Sequence, residues 1–454
     1  MMDVQDRREI VDNISYLIKV KDLPKLKNII VDTHPADLAD IMRDLEDDER
    51  DFLFSLLDPE KASDVMVELD EVSREHLIED LPTERISEIV DEMDSDDATD
   101  VVAELPSDVA EEVLSNIDAQ DRAEVESLLS HDEETAGGIM ALEFVAVYED
   151  QLVDDAIQEI RQKAQEVENI YNVYAIDRGG RLVGVVPLKK LILSNPKAKI
   201  RDIMNRDVIS VTVDMDQEDV ANIVRKYDLV AVPVVDKYNR LVGRITHDDI
   251  VDVLHEEANE DLQRMAGIVD EEILQEMSTF RISRYRLPWL IVAFLGELGS
   301  AVLLKTFQAS IQQVVATAFF IPLIMAMGGN VGNQAAYIVV RSLALQEGGT
   351  TDRWSRVFRE IRVALLNGTI LSILIFTIVY FVFAEDPQFG LVIGIALIVV
   401  MVNAAVVGSV VPIVLNKLRF DPAIATGPFI STSNDILGVF IYLSMTVLYL
   451  KWFK

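Results

Sequence analysis

The sequence contains no cysteine, so disulfides and thiolate metal sites are excluded. Histidine is scarce as well: the chain has five, without the spacing of a metal site, at His34, His76, His131, His247 and His255. Surface or packing roles suit these histidines better. The first ten residues, MMDVQDRREI, carry no apolar segment and predict no secretory signal. A metal bound by this chain is therefore expected to take oxygen ligands.

Basic residues are few beside acidic ones: 41 Lys and Arg stand against 78 Asp and Glu, for a net charge of −37. The imbalance is confined to one part of the chain. Residues 284–454 hold 8 acidic and 12 basic residues, which leaves 70 acidic and 29 basic residues, a net −41, in residues 1–283. Such an acidic surface repels the phosphates of nucleic acid and attracts cations. The simpler alternative is that the acid only keeps this part of the chain soluble.

Residues 34–130 carry a repeat of 12 residues. An apolar residue recurs at this spacing, at Leu45, Leu57, Leu69, Leu81, Met93, Leu105, Ile117 and Leu129. Several units begin with proline or serine and continue as a short amphipathic helix, as in PEKASDVMVEL. One short helix cannot bury its apolar face alone, so neighbouring units must stack. We expect residues 1–130 to form an all-α superhelical domain that binds a ligand or serves as a spacer.

A tandem duplication follows this domain. The segment Asp177–Gly184 (DRGGRLVG) matches Asp236–Gly243 (DKYNRLVG) 59 residues later, and each match lies between two strand-like runs. The order β-α-β-β-α, found twice, resembles a pair of CBS (cystathionine-β-synthase) modules. The resemblance implies an α/β fold for 137–200 and for 201–255.

CBS modules often sense adenine nucleotides. The second copy ends in GRITHDDI, which is similar to a ribose-binding pattern, and the resemblance implies that Thr246 and Asp249 would contact ATP. The first copy has Pro187-Leu-Lys-Lys at the matching place and lacks the acid. At most one nucleotide site is therefore expected.

The rest of the chain predicts a connecting helix and a membrane domain. Residues 256–283 read as an acidic helix that turns basic at its end, and residues 284–454 contain five apolar runs long enough to cross a bilayer. The predicted spans lie at about 288–308, 314–342, 362–384, 389–416 and 423–450. Arginine and lysine concentrate in the loops after spans two and four. The positive-inside rule then places the N-terminal domains in the cytosol and the C-terminus outside the cell membrane.

The second span contains GGNVGNQ, Gly328–Gln334, a few residues after Pro322. Three glycines and three amides in seven residues predict a discontinuous helix, unwound here so that its carbonyls line an ion path. Close helix packing through small residues is the alternative.

Asp435 is the only formal charge in the apolar part of the fifth span. A carboxylate at membrane depth costs roughly 3 kcal/mol even on conservative scales, so it normally faces a partner, a cation or a water-filled path. The neighbouring STSN, residues 431–434, offers oxygen ligands, which favour Mg²⁺ or Ca²⁺. A packing role against another helix is the alternative. Glu297, a second intramembrane carboxylate, would pair with a polar group of another helix or line an entrance.

Acidic helical repeats, two CBS modules, a connecting helix and five spans occur in this order in the MgtE family of magnesium channels and transporters, which the chain resembles over nearly its whole length. The most specific parts are Pro322…GGNVGNQ and DPAIATGPFISTSNDILG. The resemblance implies a homodimer in the lipid bilayer, with a pore Mg²⁺ on Asp435 and with Ser431 and Asn330 completing the filter. It also implies cytosolic Mg²⁺-binding carboxylates that close the pore, at Asp96, Asp100, Asp216, Glu218, Asp228, Asp249, Asp252, Glu257, Glu260, Asp261 and Asp421. One departure is Gly427, where some relatives have a polar Asn.

We therefore expect a homodimeric Mg²⁺ channel or transporter that cytosolic Mg²⁺ closes by bridging acidic residues. No enzyme is expected, since the sequence shows no phosphate loop, no nucleophile–base pair and no hydrolase metal cluster. Two alternatives stay open. One is transport of Co²⁺ or Mn²⁺, which an oxygen site does not exclude. The other is a non-conducting membrane sensor of nucleotide or metal, for which Asp435 would be dispensable to ion flux.

Overall fold

The structure is a computed structural model that describes residues 4–163, 167, 169–266, 279–344, 350–383, 386–423 and 427–453. The chain forms two compact units, residues 1–256 and residues 257–454.

The first unit begins with short α-helices. In chain order they are α1 (Val4–Lys19), α2 (Leu23–Asp32), α3 (Pro35–Arg43), α4 (Asp47–Phe54), α5 (Pro59–Val67), α6 (Glu71–Asp80), α7 (Thr83–Val90), α8 (Ser95–Glu104), α9 (Ser107–Asn116) and α10 (Ala119–Leu128). From α3 on, each helix fills one unit of the 12-residue repeat. The predicted all-α repeat domain is confirmed.

Capping and burial explain these short helices. Pro35 and Pro59 stand at the first helical position, and the Asp58 carboxylate caps α5 by accepting a hydrogen bond from the Lys61 backbone nitrogen at 2.9 Å. The repeated apolar residue follows each helix and is buried at Leu57 and Leu69, among others. Helices two units apart stack on each other, α3 on α5, α5 on α7, and α7 on α9, so the core runs along the domain.

The remainder of the first unit contains two similar three-stranded sheets. The elements are β1 (Ala146–Tyr148), α11 (Val153–Lys163), β2 (Asn172–Ile176), β3 (Leu182–Pro187), α12 (Leu188–Leu193), α13 (Ile200–Ile203), β4 (Val211–Thr212), α14 (Gln217–Tyr227), β5 (Ala231–Val235), β6 (Leu241–Thr246) and α15 (His247–Ala266). In each sheet the first strand pairs parallel with the second, and the second pairs antiparallel with the third. The predicted order β-α-β-β-α is confirmed in both copies.

The two hairpin turns are built alike. The Asp177 carboxylate accepts hydrogen bonds from the backbone nitrogens of Gly179 and Arg181, at 2.8 and 2.9 Å. Asp236 does the same one repeat later, for Tyr238 and Arg240. The matching sequence segments therefore close the same turn twice.

The second unit is helical and begins within α15, at Glu257. Its helices are α16 (Thr279–Thr306), α17 (Gln308–Gln313), α18 (Ala316–Ala344), α19 (Thr350–Phe381), α20 (Pro387–Lys417) and α21 (Pro428–Phe453). Among the described residues, five helices are long and apolar enough to cross a membrane, namely α16, α18, α19, α20 and α21. They correspond to the five predicted spans. The connecting helix predicted over 256–283 lies partly outside the described residues, since α15 is described to Ala266 and α16 from Thr279.

The expectation that the second span is unwound is wrong. Helix α18 is continuous through Gly328–Gln334, with Pro322 inside it. Two of the three glycines serve close packing instead, because a side-chain carbon added to Gly328 would lie 3.2 Å from Val400 of α20 and one added to Gly332 would overlap the side chain of Asn434. The alternative reading of this stretch, helix packing through small residues, is the one that the described structure supports.

Candidate metal centres

Three carboxylates converge where the helical repeats meet the first CBS module. Ser95 begins α8, and both its backbone nitrogen and its hydroxyl donate to the Glu143 carboxylate, at 3.1 and 2.9 Å. The Leu142 backbone nitrogen donates to the same hydroxyl at 2.9 Å. This clamp brings Glu143 beside Asp94 and Asp96, so that one carboxylate oxygen from each of the three lies within 4.8 Å of the others.

The electrostatics of this cluster show that the acids crowd each other. Burial raises the pKa of Asp96 well above its ordinary value, and the charges of Asp249, Asp97, Glu143 and Asp94 add to that effect. Burial and then Asp249 raise the pKa of Asp97 to about 7. Carboxylates in this state gain strongly from a cation that neutralises them.

Asp100 lies one helical turn beyond Asp96 and is perturbed in a similar way. Desolvation by surrounding protein raises its pKa to about 7, Arg74 opposes the rise, and Glu104 and Glu256 add to it. Asp96 and Asp100 therefore belong to one acidic face of α8, as their i, i+4 spacing predicts.

Three oxygen ligands of charge −3 suit a hard divalent cation. Opposite ligands of an octahedral Mg²⁺ stand about 4.2 Å apart, twice the Mg–O distance. The Asp94–Asp96–Glu143 oxygens, within 4.8 Å of each other, could therefore hold Mg²⁺ with a small contraction or through its waters. Asp94, Asp97 and Glu143 were not singled out from the sequence. Asp94 could have been found as the residue before a helix, whereas Glu143 stands in a link without any pattern.

The two residues expected to bind ATP contact each other. The Asp249 carboxylate accepts hydrogen bonds from the backbone nitrogen and the hydroxyl of Thr246, at 2.8 and 2.9 Å. Burial raises the pKa of Asp249, Thr246 opposes the rise, and the nearby charges of Asp248 and Asp252 add to it. Burial also raises the pKa of Asp252. The nucleotide and sensor roles predicted for Asp249 thus fall on one carboxylate that faces α8.

Of the three acids predicted on the second CBS module, the structure places Asp216 and Glu218 at one end of α14 and Asp228 at the other. Asp216 caps the start of α14, and its carboxylate accepts from the Glu218 backbone nitrogen at 3.0 Å. Asp228 stands at the far end of this 11-residue helix, about 18 Å from Asp216 along its axis, in the left-handed conformation. Within one chain these residues do not form a single site.

In the second unit, the end of α15 meets the loop between α20 and α21. The guanidinium of Arg264 donates to the Asp421 carboxylate at 2.6 Å and also pairs with Glu260. Burial, Asp421 and Glu257 raise the pKa of the neighbouring Asp261 to about 6. The four acids predicted here therefore lie in one cluster around the positively charged guanidinium of Arg264. They are Glu257, Glu260, Asp261 and Asp421.

The membrane part of the site surrounds Asp435 on α21. Helix α16 packs closely on α21, since a side-chain carbon added to Gly296 would overlap the Thr432 methyl group. At this crossing the Glu297 carboxyl comes within hydrogen-bonding reach of the Asp435 carboxyl. This proximity favours the first of the two roles predicted for Glu297, pairing with a polar group of another helix, and both roles stay predictions. Two carboxyls in contact require a shared proton or a cation.

Ser431 lies one helical turn before Asp435, and its hydroxyl accepts a hydrogen bond from the Asn333 amide at 3.0 Å. Asn330, predicted for this role, is exposed on α18. Its place in a filter stays a prediction, and the amide observed against Ser431 is that of Asn333. The sequence could not separate the two amides, because both belong to the same GGNVGNQ segment.

Family models match most of the described domains. The model of the MgtE divalent cation transporter matches residues 321–445, that of the MgtE intracellular N domain matches 33–134, and that of the CBS domain matches 136–194 and 200–256. The magnesium transporter MgtE of Thermus thermophilus is 37% identical over 72% of this chain and 72% of its own. The MgtE of Enterococcus faecalis is 36% identical over the same shares.

Two solved structures each resemble slightly more than half of this chain. The soluble part of a magnesium transporter superposes with a TM-score of 0.51 at 31% identity, over 56% of this chain and 99% of that one. The cytosolic domain of the Mg²⁺ channel MgtE in complex with ATP gives a TM-score of 0.51 at 34% identity, over 54% of this chain and 99% of that one.

Proposed function

The chain belongs to the MgtE family of divalent cation transporters, and on that premise we propose that it passes Mg²⁺ across a membrane along a path at Asp435. The observation that carries the proposal is the polar face of α21, where Ser431 and Asp435 share one side of a membrane-spanning helix and Glu297 lies against Asp435. Oxygen ligands with two negative charges suit a hydrated Mg²⁺. In the proposed arrangement two chains form a homodimer, and Asp435 of each faces the ion.

We further propose that cytosolic Mg²⁺ closes this path. The Asp94–Asp96–Glu143 cluster and Asp249 repel each other when unoccupied, and a bound divalent cation removes that repulsion only while the carboxylates stay together. Mg²⁺ therefore favours the compact arrangement of the acidic part. The acids around Arg264 would respond in the same way.

The test is uptake of Mg²⁺ by liposomes that contain the purified protein. We expect Asp435→Ala to abolish uptake while the protein still inserts, because the ion loses its charged ligand. Asp108→Ala is the matched control, since Asp108 is an exposed acid of α9 outside every cluster above. Wild-type uptake by the Asp435 variant would refute the proposed path.

Uptake of other ions separates the alternatives. Co²⁺ and Mn²⁺ accept the same oxygen ligands, so their uptake is measured beside that of Mg²⁺. If the protein takes up Co²⁺ or Mn²⁺ in preference to Mg²⁺, that ion and not Mg²⁺ is the transported one. Protein that inserts and carries none of the three would support a non-conducting sensor.

ATP binding to the CBS pair is a second proposal, supported by the likeness to an MgtE cytosolic domain in complex with ATP. Thr246 would offer its hydroxyl to the ribose, which requires that Asp248 and Asp249, the two carboxylates that now accept from it, release it. Calorimetry of the full chain with ATP tests this, with Thr246→Val expected to weaken binding. Equal binding by this variant would exclude Thr246 from the nucleotide site.

A further inference from the structure

Asn434, the residue before Asp435, has a buried side-chain amide without a hydrogen-bond partner among the described residues. It is 1% exposed, and neither its amide oxygen nor its amide nitrogen has a hydrogen-bond partner among the residues that the structure describes. A buried amide without partners destabilises a fold. Hydrogen bonds therefore do not hold this side chain, and steric contacts determine where it lies.

Those contacts are with a glycine of the neighbouring helix. A side-chain carbon added to Gly332 of α18 would overlap the Asn434 amide nitrogen and lie 3.0 Å from Ile430. Toward α20, a carbon added to Gly408 would overlap the carbonyl oxygen of Gly332. Helices α18, α20 and α21 thus meet at Gly332 without room for one more carbon.

A second glycine contacts α21 from the other side. Gly296 of α16 lies against Thr432, which is about 200° from Asn434 around the helix. Going around α21 from Thr432 to Asn434, one passes Asp435 and then Ser431. The two glycine contacts therefore bound the polar face of α21 at both edges.

We propose that Asn434 is a positioning residue: seated on Gly332, it sets the rotation of α21 and thereby the direction of Asp435 and Ser431. The inference rests on the proposed function, in which Asp435 contacts the ion. Because the contact is steric, a change of volume at either Gly332 or Asn434 disturbs it, and opposite changes at both residues compensate.

The test is a size-exchange cycle. We expect Gly332→Ala to lower Mg²⁺ uptake per inserted molecule about tenfold, because the added methyl displaces α21. Adding Asn434→Ala to that chain frees the space and should restore uptake to within about threefold of Asn434→Ala alone. The matched control is Gly299→Ala on α16, where the added carbon would lie 3.7 Å from Ile436, an ordinary contact.

A second readout separates positioning from loss of folded protein. A turned Asp435 changes the Mg²⁺ concentration for half-maximal uptake and the ratio of Mg²⁺ to Co²⁺ uptake, whereas fewer folded molecules change only the maximal rate. If Gly332→Ala fails to insert, Asn434→Ala alone is measured, and we expect a changed ion ratio. An unchanged ratio, or a double variant no better than an inserted Gly332→Ala, would overturn the inference.

A third readout does not need transport at all. Since the chain has no cysteine, Glu297→Cys with Asp435→Cys introduces one thiol pair at the α16–α21 crossing. We expect rapid disulfide formation in the parent chain, slower formation with Gly332→Ala, and recovery with Asn434→Ala added. Recovery of the disulfide rate would support the positioning role whatever the transport result, whereas the proposed function is refuted separately, if the chain with its native Glu297 and Asp435 inserts and carries no Mg²⁺. Equal disulfide rates in all three chains would refute the positioning role alone.

Discussion

Arg264 and Asp421 form a hydrogen-bonded ion pair of 2.6 Å between the end of α15 and the loop that precedes α21. The same guanidinium pairs with Glu260, and Asp261 stands beside Asp421. An arginine thus holds together acids that the family resemblance assigns to Mg²⁺. In the proposed closure, these acids would be neutralised both by the guanidinium of Arg264 and by Mg²⁺ from the cytosol.

We predict that Arg264→Gln weakens closure. Without the guanidinium, Glu260, Asp261 and Asp421 repel one another, so more internal Mg²⁺ is needed to bring them together, by about three- to tenfold. The measurement is liposome uptake at rising internal Mg²⁺. Arg122→Gln serves as control, because the ion pair of Arg122 among the described residues is a local one with Glu126, an exposed partner one turn along α10. Closure at the wild-type concentration would show that Arg264 has no part in it.

The acidic face of α8 predicts a pH dependence in the absence of Mg²⁺. Asp97 and Asp100 have pKa values of about 7, above the ordinary 3.8, so the folded chain binds more protons than the unfolded chain between about pH 4 and pH 7. The stability of the compact form therefore falls as the pH rises through that window. We expect residues 1–256 of the full protein to resist protease better at pH 6 than at pH 8.

Mg²⁺ should remove most of this difference, because it neutralises the same carboxylates that protons neutralise. Asp97→Asn with Asp100→Asn should flatten the pH profile, since amides do not titrate. A variant that keeps the wild-type profile would assign the dependence to other groups.

Glu297→Gln is predicted to weaken the apparent affinity of uptake for Mg²⁺ by about tenfold, because one of two carboxylates in contact at the crossing is lost. The maximal rate should change less than the half-saturating concentration. Uptake with unchanged concentration dependence would mean that Glu297 only pairs with Asp435 and does not face the ion.

The orientation in the membrane is also testable. The positive-inside pattern predicts that a tag after Lys454 is labelled from outside intact cells and a tag before Met1 only after permeabilisation. The opposite result would require another number of spans or the reverse insertion.

Much of the fold follows from local patterns in the sequence. The 12-residue repeat determined the succession of short helices, because each unit carries its own apolar face and several units begin with a capping side chain, as Asp58 does for α5 and Asp70 for α6. The duplicated DRGGRLVG and DKYNRLVG segments determined two matching hairpins, since an aspartate at the same position closes each turn. The apolar runs determined five helices of membrane length. Asp435 could be identified from the sequence because a charge inside a membrane-spanning run has a free-energy cost whichever helices surround it.

Tertiary structure alone decided which of these elements touch. Ser95 meets Glu143 from 48 residues away, and no periodic pattern connects a helix start with an acid in a link. Gly328–Gln334 is compatible with an unwound segment and with close packing, since glycine permits both. The choice depended on Val400 and Asn434 of other helices, which leave no room for a side chain. A glycine in the sequence shows only that a side chain is absent at that position. The residue that occupies the free space belongs to a distant part of the chain, so the sequence pattern does not reveal it.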